Sequence, residues 1–239
     1  MTTALIFAGG SGIRMNTNAK PKQFLQLYGK EIIVHTIEHF EKHAGVDAVA
    51  VACLEAWIPY LQELVAKFGL GKVRWVVAGG ETGQASTHRG LAAIRSGCPD
   101  DTTVLVHDGV RPLITQALIS DCIAAVAAHG AAIAVTPAVE TVVALNGEGM
   151  ITAATDRSKT FHARAPQCFR LGDIWQCYER AAADGLTSAV DSASLMMHYG
   201  HQLHAVPCAY DNIKITTPSD FYVFRALYEA KENLQILGL

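Results

Sequence analysis

The chain has 239 residues, 50% of them hydrophobic and 8% aromatic, and a formal net charge of −3. That is enough for one sizeable core, and no basic run or face marks a nucleic-acid binder. No apolar run reaches the roughly 20 residues of a membrane span, and MTTALIFAGG lacks the basic start and long apolar stretch of a signal peptide.

Short apolar runs alternate with longer amphipathic ones along the chain. Ala4 to Ala8 reads as a buried strand. Glu31 to His43 has helical spacing, with Ile33, Ile37 and Phe40 on one face. Ala48 to Ala52 is strand-like, Ile58 to Phe68 helical, Val73 to Val77 a strand and Ser86 to Ser96 a helix. Thr103 to His107 is a strand, Thr115 to His129 a helix and Ala131 to Val135 a strand. This order predicts an α/β fold: an open, mostly parallel twisted sheet with helices on both faces. No repeat or linker interrupts it, so residues 1–239 read as a single domain.

The rhythm changes after Pro137. Thr141 to Leu145 and Met150 to Ala154 flank Asn146-Gly147-Glu148-Gly149, and Asn-Gly signals a hairpin because both residues tolerate positive φ. A protruding β-arm over about residues 138–160 is expected. Its apolar faces call for a partner: a homodimer supplies one, and the alternative is a hairpin folded back on its own domain. Helices resume at Leu171 to Ala183 and Ser192 to Tyr199, a strand follows at Leu203 to Pro207, and a last helix runs from Pro218 to about Asn233.

The most informative segment is Ala8-Gly9-Gly10-Ser11-Gly12-Ile13-Arg14-Met15, directly after the first strand. In an open parallel sheet ligands sit beyond the carboxyl ends of the strands, and glycines let backbone N–H groups approach phosphates. The segment is neither GxGxxG nor a P-loop, which argues against a dinucleotide site and a Walker-type NTPase. Arg14 and Lys22, the latter in Lys20-Pro21-Lys22-Gln23-Phe24, are the candidate catalytic cations. Charge builds on a phosphoryl group as pyrophosphate leaves, and held cations stabilise it. Lys20 reads as a solvated loop lysine.

Asp108, in Val106-His107-Asp108-Gly109-Val110-Arg111-Pro112, ends a strand and is placed to hold Mg²⁺ on phosphates. Arg111 can grip a second phosphate as a fork. Gly79-Gly80-Glu81-Thr82-Gly83-Gln84-Ala85-Ser86 could recognise a base through backbone groups and the Ser86 hydroxyl, although Ser86 could equally be an N-cap. Apolar neighbours suggest that Lys214 points inward. Arg157, taken alone, is a solvated residue. His35, His39 and His43 share a helix face, but no carboxylate or Cys pattern completes a metal site there. The six cysteines include no CxxC pair and read as reduced core residues in a cytoplasmic protein.

Together and in this order, AGGSGIRM, KPKQFL, VHDGVRP, TPAVET, TDRS, APQCF, DSASLMMHYG and DNIKITTPSDF resemble the 2-C-methyl-D-erythritol 4-phosphate cytidylyltransferase family and its relatives, the ribitol 5-phosphate cytidylyltransferases. The resemblance runs from Ala8 to Phe221. It implies a nucleotide-diphospho-sugar transferase-like fold, a homodimer with an exchanged arm, CTP and Mg²⁺. It also implies attack by a phosphate oxygen of the polyol phosphate on the α-phosphorus of CTP. Carried over by motif, Arg14 and Lys22 stabilise the pentacoordinate phosphoryl group. Ala8, Gly9, Gly10, Ser11 and Gly12 wrap the triphosphate, and Gly80, Glu81 and Ser86 face the cytidine. Asp108 holds the metal. Arg111, Thr141 and Lys214 bind the polyol phosphate, with Arg157 arriving from the partner subunit.

Three departures stand out. Gly83 occupies a usual Arg position and Thr87 a usual Val position. Glu140-Thr141-Val142-Val143 lacks the lysine of the DTxK pattern. Ala165 replaces the Thr that often precedes Pro-Gln. The acceptor therefore stays open, with methylerythritol phosphate placed first and ribitol 5-phosphate as the alternative. From other classes, a catalytically weak nucleotide-binding regulatory protein and a hexose 1-phosphate nucleotidyltransferase complete the readings.

Overall fold

The computed structural model describes residues 1–9, 20–187 and 189–237, with side chains to residue 233. Seven strands form one sheet in the order β11-β7-β10-β6-β1-β4-β5. They are β1 (Thr2–Ala8), β4 (Ala48–Cys53), β5 (Val73–Ala78), β6 (Thr103–Asp108), β7 (Ala131–Pro137), β10 (Phe161–Arg170) and β11 (His204–Pro207). Two short hairpins stand apart: β2 (Gln26–Leu27) with β3 (Lys30–Glu31), and β8 (Val143–Leu145) with β9 (Ile151–Ala154). All pairings in the large sheet are parallel except those of β10, which runs antiparallel to both β6 and β7.

The alternation in β1 explains the layers. Ala4, Ile6 and Ala8 face α1 (Ile32–Lys42), α2 (Ile58–Lys67) and α4 (Gln116–His129), packing with Ile33, Ile37, Phe40, Leu61 and Ile119. Leu5 faces α3 (Gly83–Arg95), α5 (Leu171–Ala183) and α6 (Ser192–His198), with Leu91, Ile94, Ile174 and Met196. A period of two on a sheet covered on both faces makes every β-residue apolar, which is why ALIFA and AVAVAC read as continuous runs. The last helix, α7 (Pro218–Leu237), puts Phe224 on a third cluster with Ile32, Val110, Leu113 and Ile215. The open, mostly parallel sheet with helices on both faces is as expected. So is the helix at Leu171–Ala183.

β10 is not among the predicted strands. Pro166 interrupts FHARAPQCFR, and proline is normally kept out of central strands. Tertiary pairing resolves this with a bulge. The ladder to β7 skips from Ala163 to Gln167, so Arg164, Ala165 and Pro166 need no ladder partner there. The Ala165–Pro166 peptide is cis.

The hairpin forms where expected, but not through Asn-Gly. The positive φ falls on Gly149 (+82°) rather than on Asn146 or Gly147. Asn146 Oδ1 accepts from the backbone N–H groups of Glu148 (3.0 Å) and Met150 (2.9 Å), closing the turn with its side chain. The arm is solvent-facing on both sides: Leu145 is 60% and Ile151 66% exposed.

The histidine row on α1 anchors structure. His35 Nε2 meets Leu27 O (3.1 Å), His39 Nε2 meets Pro112 O (2.9 Å), and His43 Nε2 meets Ser120 Oγ (2.9 Å). Cys53, Cys98, Cys122, Cys168 and Cys177 are buried and Cys208 half-buried, all free thiols.

Burial lowers the pKa of His35 and His39, and it pushes the enclosed His107 down to about 3. Unfolded histidines take up protons near pH 6.5 while these folded ones do not, so acid favours the unfolded chain. Stability is therefore complete above pH 6.5 and declines below it, by up to about 1.4 kcal/mol per pH unit for each such histidine. Denaturant titrations at pH 7.5, 6 and 5 should show this decline. His39→Gln should flatten it, and equal slopes for the two proteins would refute the assignment.

Candidate active site

The order of strands reverses between β1 and β6, which carry the chain to opposite sides of the sheet. A crevice opens beyond their carboxyl ends at such a switch point. Ala8 and Gly9 end β1, and Asp108 ends β6; Gly109 N donates to Phe7 O (2.8 Å) and closes the crevice floor. A cavity of about 450 Å³ lies here, bordered by Phe7, Gly83, Thr87, Asp108, Arg111, Arg164, Gln167, Asp191 and Lys214. A second cavity, of about 490 Å³, lies between α1, α7 and residues 112–116, away from the strand ends. Charged residues line both cavities, but only the first lies at the strand ends.

Asp108 is the electrostatic centre. Arg111 Nε donates to its Oδ2 at 2.8 Å, and Lys214 Nζ lies 2.6 Å from its Oδ1. Burial pushes the carboxyl upward, but Lys214 and Arg111 outweigh burial and hold it well below the usual carboxylate range. Arg111, itself buried, spends a second donor on Asn212 O (2.8 Å). Lys214 is itself exposed, contrary to the inward orientation its apolar neighbours suggested, and only its ammonium folds back onto Asp108. His107 donates Nε2–H to Arg111 O at 3.2 Å, leaving buried Nδ1 with no partner among the described residues.

Lys22 is not among the residues that border this cavity, but its neighbours hold its turn at the end of β1. Lys22–Phe24 forms a single 3₁₀ turn. Buried Gln23 donates Nε2–H to Ala8 O (2.7 Å), and Phe24 stacks on Trp57 with centroids 4.9 Å apart. These two contacts fix the KPKQF segment against the end of β1. Lys22 also lies near Asp220 at the start of α7, helping to hold that carboxyl low. Lys20 is not a solvated lysine: it meets Tyr60 OH at 3.2 Å, and that hydroxyl donates to buried Glu31 at 2.5 Å. Arg14, Gly10, Ser11 and Gly12 lie outside the described residues.

On the far side of β1, the Gly79–Thr82 loop is tightly built. A Cβ on Gly80 would stand 2.5 Å from Ala85 Cβ, and one on Gly79 would stand 3.0 Å from Ser86 Oγ. Ser86 Oγ accepts from Gly80 N (2.9 Å) and donates to Thr82 O (2.9 Å). Ser86 is not the N-cap, because α3 begins a turn earlier, at Gly83. Thr82 caps it, accepting from Ala85 N at 3.1 Å. The Ser86 hydroxyl is thus spent on shaping the loop, while Glu81 is exposed.

Thr141 and Arg157 do not join the cavity within one chain. Both are exposed on the arm, where Arg157 NH1 reaches Val139 O at 3.4 Å. Three cavity residues escaped the sequence reading: Arg164, Gln167 and Asp191. Gln167 Nε2 donates to Asp191 Oδ2 (2.8 Å), and Gln167 Oε1 accepts from Ala193 N (3.0 Å). Asp191 Oδ1 caps α6 by accepting from Ser194 N (2.8 Å). The signal was APQCF for Gln167 and DSASLMMHYG for Asp191, each read as a motif without a role for that residue, whereas Arg164 lies just outside APQCF.

Among the described residues no group of three or more side chains is arranged to hold a metal. Mg²⁺ keeps much of its water and takes one or two carboxylates plus substrate phosphates. Asp108 supplies one carboxylate at the strand ends, so the donor set fits a cation arriving with a triphosphate rather than a preformed cage. Accepting it requires Asp108 to exchange one of its two cationic partners.

An open α/β sheet with cations gathered at its switch point is the frame of a nucleotidyltransferase. The family described as IspD, 2-C-methyl-D-erythritol 4-phosphate cytidylyltransferase, matches residues 2–229. The chain belongs to this family and is a cytidylyltransferase acting on a polyol phosphate. A ribitol-5-phosphate cytidylyltransferase of Streptococcus agalactiae is 50% identical over 239 residues, covering 100% of both chains. One from Vibrio parahaemolyticus is 47% identical over 238 residues, again covering 100% of both. A 2-C-methyl-D-erythritol 4-phosphate cytidylyltransferase of Geotalea uraniireducens is 42% identical, over 95% of this chain and 97% of that one. The crystal structure of 4-diphosphocytidyl-2C-methyl-D-erythritol synthase from Anaerococcus prevotii superposes with a TM-score of 0.82. It is 25% identical, covering 95% and 96% of the two chains. No helix among the described residues is long and apolar enough to cross a membrane.

The Gln23–Ala8 contact generates a test. Gln23→Leu leaves a buried carbonyl unpaired, at a cost of about 1–3 kcal/mol, and frees the turn that carries Lys22. Denaturant unfolding should record the stability loss. Turnover measured well below the unfolding transition should fall with it, and full turnover in the variant would show that Gln23 does not position Lys22.

Proposed function

We propose that the chain transfers CMP from CTP to ribitol 5-phosphate, forming CDP-ribitol and pyrophosphate. The full-length likeness to ribitol-5-phosphate cytidylyltransferases at 50% and 47% identity carries this reading. It reverses the sequence-based order, which put methylerythritol phosphate first. The arm start Glu140-Thr141-Val142-Val143, lacking the DTxK lysine, supports the same acceptor.

In this reaction a phosphate oxygen of the acceptor attacks the α-phosphorus of CTP, and the bond to pyrophosphate breaks. Arg14 and Lys22 stabilise the charge that accumulates on the phosphoryl group and leaving pyrophosphate. Ala8, Gly9, Gly10, Ser11 and Gly12 wrap the triphosphate. Gly80 and Glu81 face the cytidine, with Ser86 acting through the loop shape it enforces. Arg111 and Lys214 hold the acceptor side. Mg²⁺, bound by Asp108 and phosphate oxygens, would offset triphosphate charge. The exposed apolar arm suits a homodimer in which Thr141 and Arg157 complete the partner's acceptor site. Their absence from the cavity of their own chain supports that arrangement.

A panel of ribitol 5-phosphate and methylerythritol phosphate against CTP, UTP and ATP tests the reading by pyrophosphate release. Turnover is expected with CTP and ribitol 5-phosphate at the highest kcat/KM. A preference for methylerythritol phosphate would overturn the acceptor, and no turnover with any pair would overturn the enzyme reading. Lys22→Ala should lower kcat a hundredfold or more, about 3 kcal/mol of transition-state stabilisation. Near-normal kcat would remove Lys22 from the reacting centre.

A further inference from the structure

Resting on the polyol-phosphate reading above, we infer that Arg164 is an additional acceptor-binding residue, whose guanidinium receives the acceptor phosphate beside Arg111. Arg164 lies in the β10 bulge, where the chain leaves the β7 ladder between Ala163 and Gln167. Bulges re-aim side chains, and this one sits beside the carboxyl end of β6, because Gln167 pairs with Val106 two residues before Asp108. Arg164 borders the 450 Å³ cavity together with Asp108, Arg111 and Lys214.

Charge balance singles it out. The cavity holds three cations, Arg111, Arg164 and Lys214. Its two carboxylates are spoken for: Asp108 by Arg111 and Lys214, Asp191 by Gln167 and the α6 N-terminus. Arg164 is half-buried and pairs with no carboxylate among the described residues. Its Nε donates to Thr136 Oγ1 at 3.2 Å, which fixes the side chain and leaves the terminal fork for a ligand. Burial and the nearby Arg111 both disfavour its charge, the cost of a cation kept without a counter-ion. A guanidinium fork matches two phosphate oxygens, and a bound anion would relieve the repulsion between the two arginines.

Position separates this subsite from the nucleotide. β10 lies on one side of β6, whereas β1 and the Gly79–Thr82 loop lie on the other. The anion that Arg164 meets is therefore the acceptor's. Ala163 and Ala165 flank it on the same cavity wall with only methyl groups, so the strand leaves room beside the fork.

Arg164→Gln and Arg164→Lys in the full chain test the inference. In pyrophosphate release with CTP, Arg164→Gln should raise the KM for the polyol phosphate at least tenfold, with the KM for CTP within twofold. Arg164→Lys, which keeps the charge but not the fork or the Thr136 contact, should recover only part of that loss. Calorimetric titration without CTP, using ribitol 5-phosphate and inorganic phosphate, should show both binding more weakly to Arg164→Gln. An unchanged acceptor KM and affinity would overturn the inference, as would an equal rise in the CTP KM. Weaker ribitol 5-phosphate binding with unchanged inorganic phosphate binding would move Arg164 from the phosphate to the polyol hydroxyls, against the inference. If the wild type uses methylerythritol phosphate instead, the acceptor reading fails and Arg164 is judged on that acceptor's KM. If it uses neither, calorimetry alone decides. If Arg164→Gln does not fold, Thr136→Val, which removes only the Nε contact, must weaken acceptor binding.

Discussion

The site depends on one largely enclosed carboxylate. Removing Asp108 from water would cost several kcal/mol if it stood alone. Arg111 and Lys214 compensate it from two parts of the chain, one three residues on and the other beyond β11. That shared need ties the end of β6 to the segment 211–215. Arg111 extends the tie to Asn212 O, and Ile215 N donates to Val110 O at 2.9 Å. Val110 and Ile215 then join Phe224 in one apolar cluster, so α7 is fastened to the same loop. The ion triad and the third core cluster support each other.

The triad also sets what the crevice can bind. Asp108 and Asp191 offset two positive charges, and Arg111, Lys214 and Arg164 bring three. A cavity with that imbalance at a sheet switch point attracts anions before any specific contact forms. Backbone shape supplies the other half of recognition. Ser86 holds the Gly79–Thr82 loop from inside, and Gln23 holds the Lys22 turn against Ala8. Neither side chain is charged, yet both decide where charged or backbone groups stand. This division of labour, with neutral buried groups positioning and cations binding, keeps the cations in place before a ligand arrives.

The acceptor side is built from pieces that depart from the regular sheet. β10 runs against its neighbours, bulges at Arg164–Pro166 and carries Gln167 to the cap of α6. The arm leaves the body just before it, with both faces exposed. Irregular segments are where a family can change its substrate without disturbing the core, because the core contacts lie elsewhere. The departures at Ala165 and in Glu140–Val143 fall in these segments. The relatives named for ribitol 5-phosphate and the one named for methylerythritol phosphate both align over nearly the whole chain.

The amino-acid sequence by itself determined the layered fold. Doubly buried strands need unbroken apolar runs, amphipathic helices need a period near 3.6, and both patterns are local. It also determined the chemical class, because AGGSGIRM, KPKQF and VHDGVRP each carry their groups within a few residues. Tertiary structure decided the rest. β10 was hidden because Pro166 forbids a regular strand, and only pairing with β6 and β7 on both sides makes the bulged one stable. Arg164 became a cavity residue only once that bulge turned it toward Arg111. Lys20, outwardly a loop lysine, found Tyr60 and Glu31, which are distant in sequence. Ser86 turned from a helix start into a loop brace because Thr82 capped the helix first. For β10, Arg164 and Lys20 the deciding partner lay on another element, where no local pattern could register it.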